Sequence, residues 1–197
     1  ENYLAQLGYI VVCVDGRGTG GRGEAFRKAT YVQLGKYETI DQIEAAKYLG
    51  TLSYVNPEKI AIWGWSYGGF MALNCITQGA DQFAAAIAVA PVTNWRYYDN
   101  IYTERFMRTP QENAENYDNN SPINHVDKLK GKVLIISGTH DDNVHHQNTY
   151  EFAEALVQAG KQFEMMLYTN RNHDIYGGNT RMHLFTKKFN FLIENLK

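Results

Sequence analysis

Gly64-Trp65-Ser66-Tyr67-Gly68 fits the pattern G-x-S-x-G, and its residue types suit nucleophilic catalysis. A serine hydroxyl is a poor nucleophile at neutral pH and needs a base held by a carboxylate. The apolar run Lys59–Trp63 precedes the pentapeptide as an expected strand, and Phe70–Thr77 follows as an expected helix. A serine on so sharp a strand-to-helix turn has strained backbone and an exposed Oγ. The turn also aims the next N–H, that of Tyr67, at a developing oxyanion. Residues two before and two after the serine are expected to have no room for a Cβ, hence Gly64 and Gly68, with Gly69 giving extra space. A small-residue turn with an incidental serine is the alternative, and the flanking strand, helix and third glycine argue against it.

In such an architecture the partners follow in the order Ser, Asp, His, each after a later strand. "KVLIIS" leads into "GTHDDNVHH", which offers Asp141 and Asp142, and "FEMMLYT" leads into "NRNHD", which offers His173. Asp141, nearer its strand, is expected to orient His173, while Asp142 faces solvent or a neighbouring loop. His140, Asp141, Asp142, His145 and His146 could instead gather on a metal, but their spacing matches no zinc signature, so no metal site is expected. His125 and His183 read as surface or packing residues.

A second motif competes for attention. Gly16, Gly18 and Gly21 in "VDGRGTGGRG" fit G-x-G-x-x-G, the fingerprint of a dinucleotide loop. That loop needs a helix opening at its third glycine, then a strand ending in an acidic residue about 20 residues on. "RGEAFRKATYVQLGKYE" shows little helical order, and the next clear element is a helix. The glycines are therefore expected to serve a tight turn, and no cofactor is expected.

The elements that must position Ser66, Asp141 and His173 alternate. Tyr9–Val14, Lys59–Trp63, Phe83–Val89, Val133–Ser137 and Phe163–Tyr168 read as strands that are apolar throughout. Helices are expected at Ile40–Leu49, with Thr39 and Gln42 as its capping box, at Phe70–Thr77, along Phe152, Leu156 and Ala159 to a stop at Gly160, and at Met182–Leu196. Strands without polar alternation are buried on both faces, so the fold class is α/β, a mostly parallel sheet with helices on both sides. Arg96–His125, rich in Asn and aromatics, interrupts the rhythm, and such insertions often shape a ligand site.

The chain has 197 residues and a net charge of −2, enough for one core. It lacks the basic stripe that nucleic acid or an anionic membrane would require. No apolar run approaches a membrane span of ~20 residues. Because it begins "ENYLAQLGY" inside an apparent helix, a piece of a longer protein is expected. Cys13 and Cys75 read as two buried free thiols. Trp95, Tyr98 and Tyr102 follow a strand end on the Ser66 side. From the residues alone they fit core packing and an aromatic box equally well.

"DGRGTG", "AIWGWSYGGF", "AVAPVTNWRYYDNIYTERFM", "GTHDDNVHHQ" and "NHDI", in this order, resemble the catalytic domain of the dipeptidyl peptidases in the prolyl oligopeptidase family of serine peptidases. The resemblance runs from the first residues to the last helix. It implies an α/β-hydrolase fold and release of N-terminal Xaa-Pro, or less readily Xaa-Ala, dipeptides through an acyl-enzyme. It also implies that Ser66, Asp141 and His173 are the triad, that Tyr67, Val92, Trp95, Tyr98 and Tyr102 line the proline pocket, and that Asn143 binds a substrate carbonyl. The same resemblance implies a preceding β-propeller domain, a homodimer, and a periplasmic, secreted or cell-surface location. Further, it implies an earlier strand between Tyr9–Val14 and Lys59–Trp63, followed by a tyrosine hydroxyl acting as second oxyanion donor. This segment alone is therefore expected to be poorly stable and nearly inactive. Rival readings are a tripeptidyl or acylaminoacyl peptidase of the same family, a carboxylesterase, and an inert binding relative. The last is disfavoured by the retention of Ser66, Asp141 and His173.

Overall fold

Four of the five apolar runs form strands in a computed structural model that describes residues 2–197. The elements in order are α1 (Asn2–Gln6), α2 (Glu24–Lys28), α3 (Lys36–Gly50), β1 (Ala61–Trp65), α4 (Tyr67–Gln78), β2 (Ala85–Val89), α5 (Asn100–Met107), α6 (Pro110–Asn119), β3 (Lys132–Gly138), α7 (Gln147–Gln158), β4 (Glu164–Tyr168) and α8 (Thr180–Asn195). The strands make one parallel sheet in the order β1-β2-β3-β4. Trp65 pairs with Val89, Val89 with Ile136, and Gly138 with Tyr168. The carboxyl ends thus lie side by side, and the loops leaving them share one edge.

Both faces of the sheet are covered, as unbroken apolar strands require. Ala86, Ala88 and Ile135 pack with Leu73 and Ile76 of α4 and Phe152 and Leu156 of α7. Ala85, Ile87 and Leu134 pack on the opposite face with Leu184, Phe191 and Leu192 of α8 and Leu4 of α1. This is the α/β-hydrolase arrangement. The interrupting segment forms α5 and α6, and its Met107 and Tyr117 join Phe70, Val92 and Trp95 in a third cluster beside the carboxyl edge.

Tyr9–Val14 departs from expectation: it forms no strand. Ile10 and Val12 are 55% and 48% exposed, and a slot of about 600 Å³ separates the segment from Lys59–Trp63. A strand needs a neighbour to satisfy its N–H and C=O groups, and among the described residues none fills this slot. Cys13, on the same segment, is correspondingly exposed, whereas Cys75 is buried as expected. The glycine motif is a turn, with Gly18, Gly21 and Gly23 at positive φ. A five-residue helix, α2, follows it. Arg17 within the turn makes a 2.6 Å ion pair with Asp41 of α3.

The start of α3 also differs. Its cap is Gly35 at φ 90°, whose N–H donates to Glu38 Oε2 at 3.0 Å. Thr39 does not cap the helix, because its hydroxyl donates back to Gly35 O at 2.5 Å, as a threonine inside a first turn does. Gln42 instead donates to Val14 O at 2.9 Å, tying the unpaired segment to the helix.

The two thiols should differ sharply in reactivity. Burial raises the Cys75 pKa, and only the thiolate attacks a disulfide reagent. In the folded 197-residue chain, Ellman's reagent should therefore titrate Cys13 alone and reach Cys75 only in denaturant. Equal rates for both would mean that the 197-residue chain on its own does not hold α4 against the sheet, the outcome that the expected poor stability of this segment would produce.

Candidate active site

The strand-to-helix turn after β1 is as tight as the glycines suggest. A Cβ on Gly64 would stand 2.1 Å from Gly68 O, so a side chain there would force the turn open. Gly69 is confined too, 3.0 Å from both Pro91 Cβ and Val89 O. Gly68 departs from expectation: a Cβ there would meet nothing within 4 Å, because this glycine borders the slot beside β1. Between these residues Ser66 sits at φ 58° and ψ −117°, a sparsely populated conformation for a non-glycine residue. Its N–H donates to Val89 O at 2.8 Å and its carbonyl accepts from Phe70 N–H at 3.0 Å. Tyr67 is the first residue of α4, so its N–H has no acceptor within the helix and lies at the positive end of the helix dipole.

Asp141 and His173 meet, although 32 residues separate them. His173 Nδ1 lies 2.8 Å from Asp141 Oδ2, with the carboxylate wholly buried and the imidazole 15% exposed. Asp141 Oδ1 accepts the N–H groups of Asn143 at 3.0 Å and Val144 at 2.9 Å. The loop that carries Asp141 thus folds around its carboxylate. With the Nδ1 proton directed at Asp141, Nε2 is left as the free basic nitrogen. Asp142 is exposed, as expected.

Two contacts missed at the sequence level bring these loops together. A Cβ on Gly138, at the end of β3, would stand 2.2 Å from Arg171 O. The chain before Asp141 therefore lies directly against the chain before His173, and His140 N–H donates to Arg171 O at 3.0 Å. Trp65, the neighbour of Ser66, donates its indole N–H to His173 O at 3.0 Å. A glycine closing an apolar strand was the available sign of the first contact. Nothing in the local pattern foretold the second.

Beside Ser66 the aromatic residues form a box. Trp95 is 2% exposed and stacks on Tyr102 at 5.7 Å between centroids. Its edge-on contact with Tyr98 is at 5.8 Å and its tilted contact with Tyr67 at 5.6 Å. Val92 is buried among them. Tyr98 donates its hydroxyl to Asn143 Oδ1 at 2.6 Å, which leaves the Asn143 amide N–H groups as donors. His145 and His146 make a tilted ring contact with each other, and His146 makes another with Tyr150. Among the described residues no three His, Cys, Asp or Glu side chains gather as metal ligands. His183 bonds the Tyr168 hydroxyl at 2.8 Å and His125 the carbonyl of Asn119 at 2.7 Å.

The profile of the Prolyl oligopeptidase family matches residues 1–197. The chain belongs to the prolyl oligopeptidase family of serine peptidases. It is 48% identical over 198 residues to a probable dipeptidyl-aminopeptidase B of Coccidioides posadasii, covering 98% of this chain and 22% of the relative. A protein of the same name from Sclerotinia sclerotiorum is 46% identical, with 98% and 21% covered. The chain thus spans about a fifth of the length of these relatives. Among solved structures, Porphyromonas gingivalis dipeptidyl peptidase 4 superposes with a TM-score of 0.97 at 58% identity, over 98% of this chain and 28% of the other. A putative dipeptidyl aminopeptidase IV from Bacteroides ovatus gives 0.89 at 37% identity, over 92% and 26%.

The close approach at Gly138 carries a prediction for this family member. Gly138→Ala should push the two loops apart and move His173 away from Asp141. Misplacing a reacting group by ~1 Å costs about 10²-fold, so labelling of Ser66 by a fluorophosphonate should slow on that scale. A labelling rate unchanged from wild type would show that the loops do not depend on this contact.

Proposed function

We propose that the protein carrying this chain is a serine exopeptidase that releases N-terminal dipeptides whose second residue is Pro, or less readily Ala. The observation that carries this reading is the aromatic box of Tyr67, Trp95, Tyr98 and Tyr102 beside Ser66. A proline ring is compact, rigid, apolar and without an N–H, which suits a box of aromatic faces. The names of the relatives, all dipeptidyl or dipeptidyl-amino peptidases, support the same class. In this reading the chain is the hydrolase domain of a longer polypeptide whose preceding part carries the β-propeller.

The proposed mechanism assigns one role to each of Ser66, His173, Asp141, Tyr67 and Asn143. Ser66 Oγ attacks the carbonyl carbon of the second substrate residue while His173 Nε2 takes the hydroxyl proton. Asp141 holds the ring in the Nδ1–H tautomer and stabilises the imidazolium that forms. The Tyr67 N–H donates to the oxyanion, and the Asn143 amide donates to the carbonyl of the first substrate residue. His173 then returns its proton to the leaving amine, which departs with the rest of the peptide. Water, deprotonated by His173, attacks the acyl-enzyme, and Ser66 regains its proton as the dipeptide leaves.

The test uses the full natural polypeptide that contains this chain. A Gly-Pro chromogenic amide should turn over, while its N-acetylated form and a tripeptidyl amide ending in Pro should not. Ser66→Ala should abolish turnover, and Asp141→Asn should lower kcat by about 10⁴-fold by favouring the wrong tautomer. Preference for either alternative substrate would keep the chemistry and assign the protein to a tripeptidyl or acylaminoacyl specificity.

A further inference from the structure

Glu38, in the first turn of α3, takes no part in the mechanism above, yet its carboxylate reaches the site. Oε2 accepts the Gly35 N–H at 3.0 Å, and Oε1 accepts the Tyr67 hydroxyl at 2.5 Å. The first anchor is rigid. A Cβ on Gly35 would lie 2.5 Å from the Phe70 ring, so the cap is wedged against α4. Burial raises the Glu38 pKa, opposed by the hydrogen bonds from Tyr67 and Gly35. Burial, with the nearby Glu38 charge, lifts the Tyr67 hydroxyl well above its usual value, so the phenol keeps its proton and donates. Tyr67 and Tyr102 also line a second cavity of about 850 Å³, together with Glu38, Leu34, Phe106 and Arg17. The box and this cavity therefore share a wall, and the hydroxyl of that wall is tied to one carboxylate.

We propose that Glu38 is a positioning residue that sets selectivity for the substrate residue at the scissile carbonyl, by pinning the Tyr67 ring as the wall between the aromatic box and the adjoining cavity. This rests on the peptidase reading above. Without the anchor the ring has empty volume on its far side, and rotation of its side chain lengthens the box. The ring belongs to the residue whose backbone N–H is the proposed oxyanion donor, so a loosened Tyr67 also disturbs the step that builds negative charge. Loss of Glu38 therefore acts on both selectivity and turnover.

The experiment uses the full natural polypeptide, with active sites titrated by a fluorophosphonate so that kcat is counted per competent serine. Glu38→Ala and Tyr67→Phe each remove the contact from one side. Both should lower kcat for a Gly-Pro amide about tenfold, the scale of one charged hydrogen bond. Both should also raise kcat/KM for Gly-Val and Gly-Leu amides relative to Gly-Pro about tenfold, and the double variant should be no worse than either single one. Glu38→Gln should stay near wild type, because its amide oxygen can accept from Gly35 while its amide nitrogen donates to the Tyr67 oxygen. If Glu38→Ala fails to fold, Tyr67→Phe carries the test, since it leaves the α3 cap intact. Wild-type kcat, KM and side-chain preference in Tyr67→Phe would overturn the proposal, even if Glu38→Ala lowers Tm. Should the wild type prefer N-acylated or tripeptidyl amides, the dipeptidyl reading fails, and the same series built on the preferred acyl group still decides the role of Glu38.

Discussion

The carboxyl edge depends on one backbone crossing, at Gly64, where the chain leaving β1 meets the first turn of α4. No atom beyond the Cα fits there, since a Cβ would stand 2.1 Å from Gly68 O. This contact lets β1 end and α4 begin with Ser66 alone between them. The cost appears in the φ of 58° at Ser66, of the order of 1–3 kcal/mol for such a conformation. The surroundings over-determine it: the Ser66 N–H is held by β2, its carbonyl by α4, and Phe70 on the next turn is fully buried. Ala90 after β2 and Asn170 after β4 also adopt positive φ at the carboxyl edge, as do Val32 and Arg108 away from the strand ends.

What the sequence made legible follows from how local each cause is. The Ser66 turn was readable because its glycines, strand and helix lie within a dozen residues. Asp141 and His173 were readable from their positions just past two apolar runs. Tyr9–Val14 was misread because its apolar residues report a buried environment, while strand formation depends on a hydrogen-bonding neighbour that lies elsewhere in a chain. The Cys13 error has the same root. Gly68 was misread because the pattern G-x-S-x-G treats both glycines alike, whereas only Gly64 faces backbone. Thr39 and Gln42 matched a capping box one turn too late, since Gly35 and Glu38 had already closed the helix end.

Other features have causes that no local window contains. Gly138 matters because β4 pairs with β3 in the register Gly138 to Tyr168, which sets the loop after β4 on the end of β3. Trp65 reaches His173 across 108 residues of sequence. Glu38 reaches Tyr67 across 29. Each residue type was visible, but its partner is chosen by the order of strands in the sheet. The aromatic residues between Trp95 and Tyr102 fall in the same class. Their spacing fits core or pocket alike, and only their position beside the Ser66 turn separates the two.

That order has a consequence for how binding and chemistry are joined. The Tyr98 hydroxyl bonds Asn143 Oδ1, the Asn143 N–H bonds Asp141 Oδ1, and Asp141 Oδ2 holds His173 Nδ1. The His173 carbonyl is held by Trp65, which is covalently next to Ser66. The chain of contacts runs from the aromatic box, through the proposed carbonyl donor, to the proposed orienting carboxylate, base and nucleophile. Because Asp141 spends one oxygen on its own loop and the other on His173, its carboxylate cannot turn toward the base without releasing Asn143. A displacement at the box is therefore transmitted to the imidazole as a change in orientation, through an exposed Tyr98–Asn143 contact at the rim and the wholly buried Asp141 carboxylate beneath it. The geometry proposed to recognise the substrate and the geometry proposed to activate the serine are one connected unit.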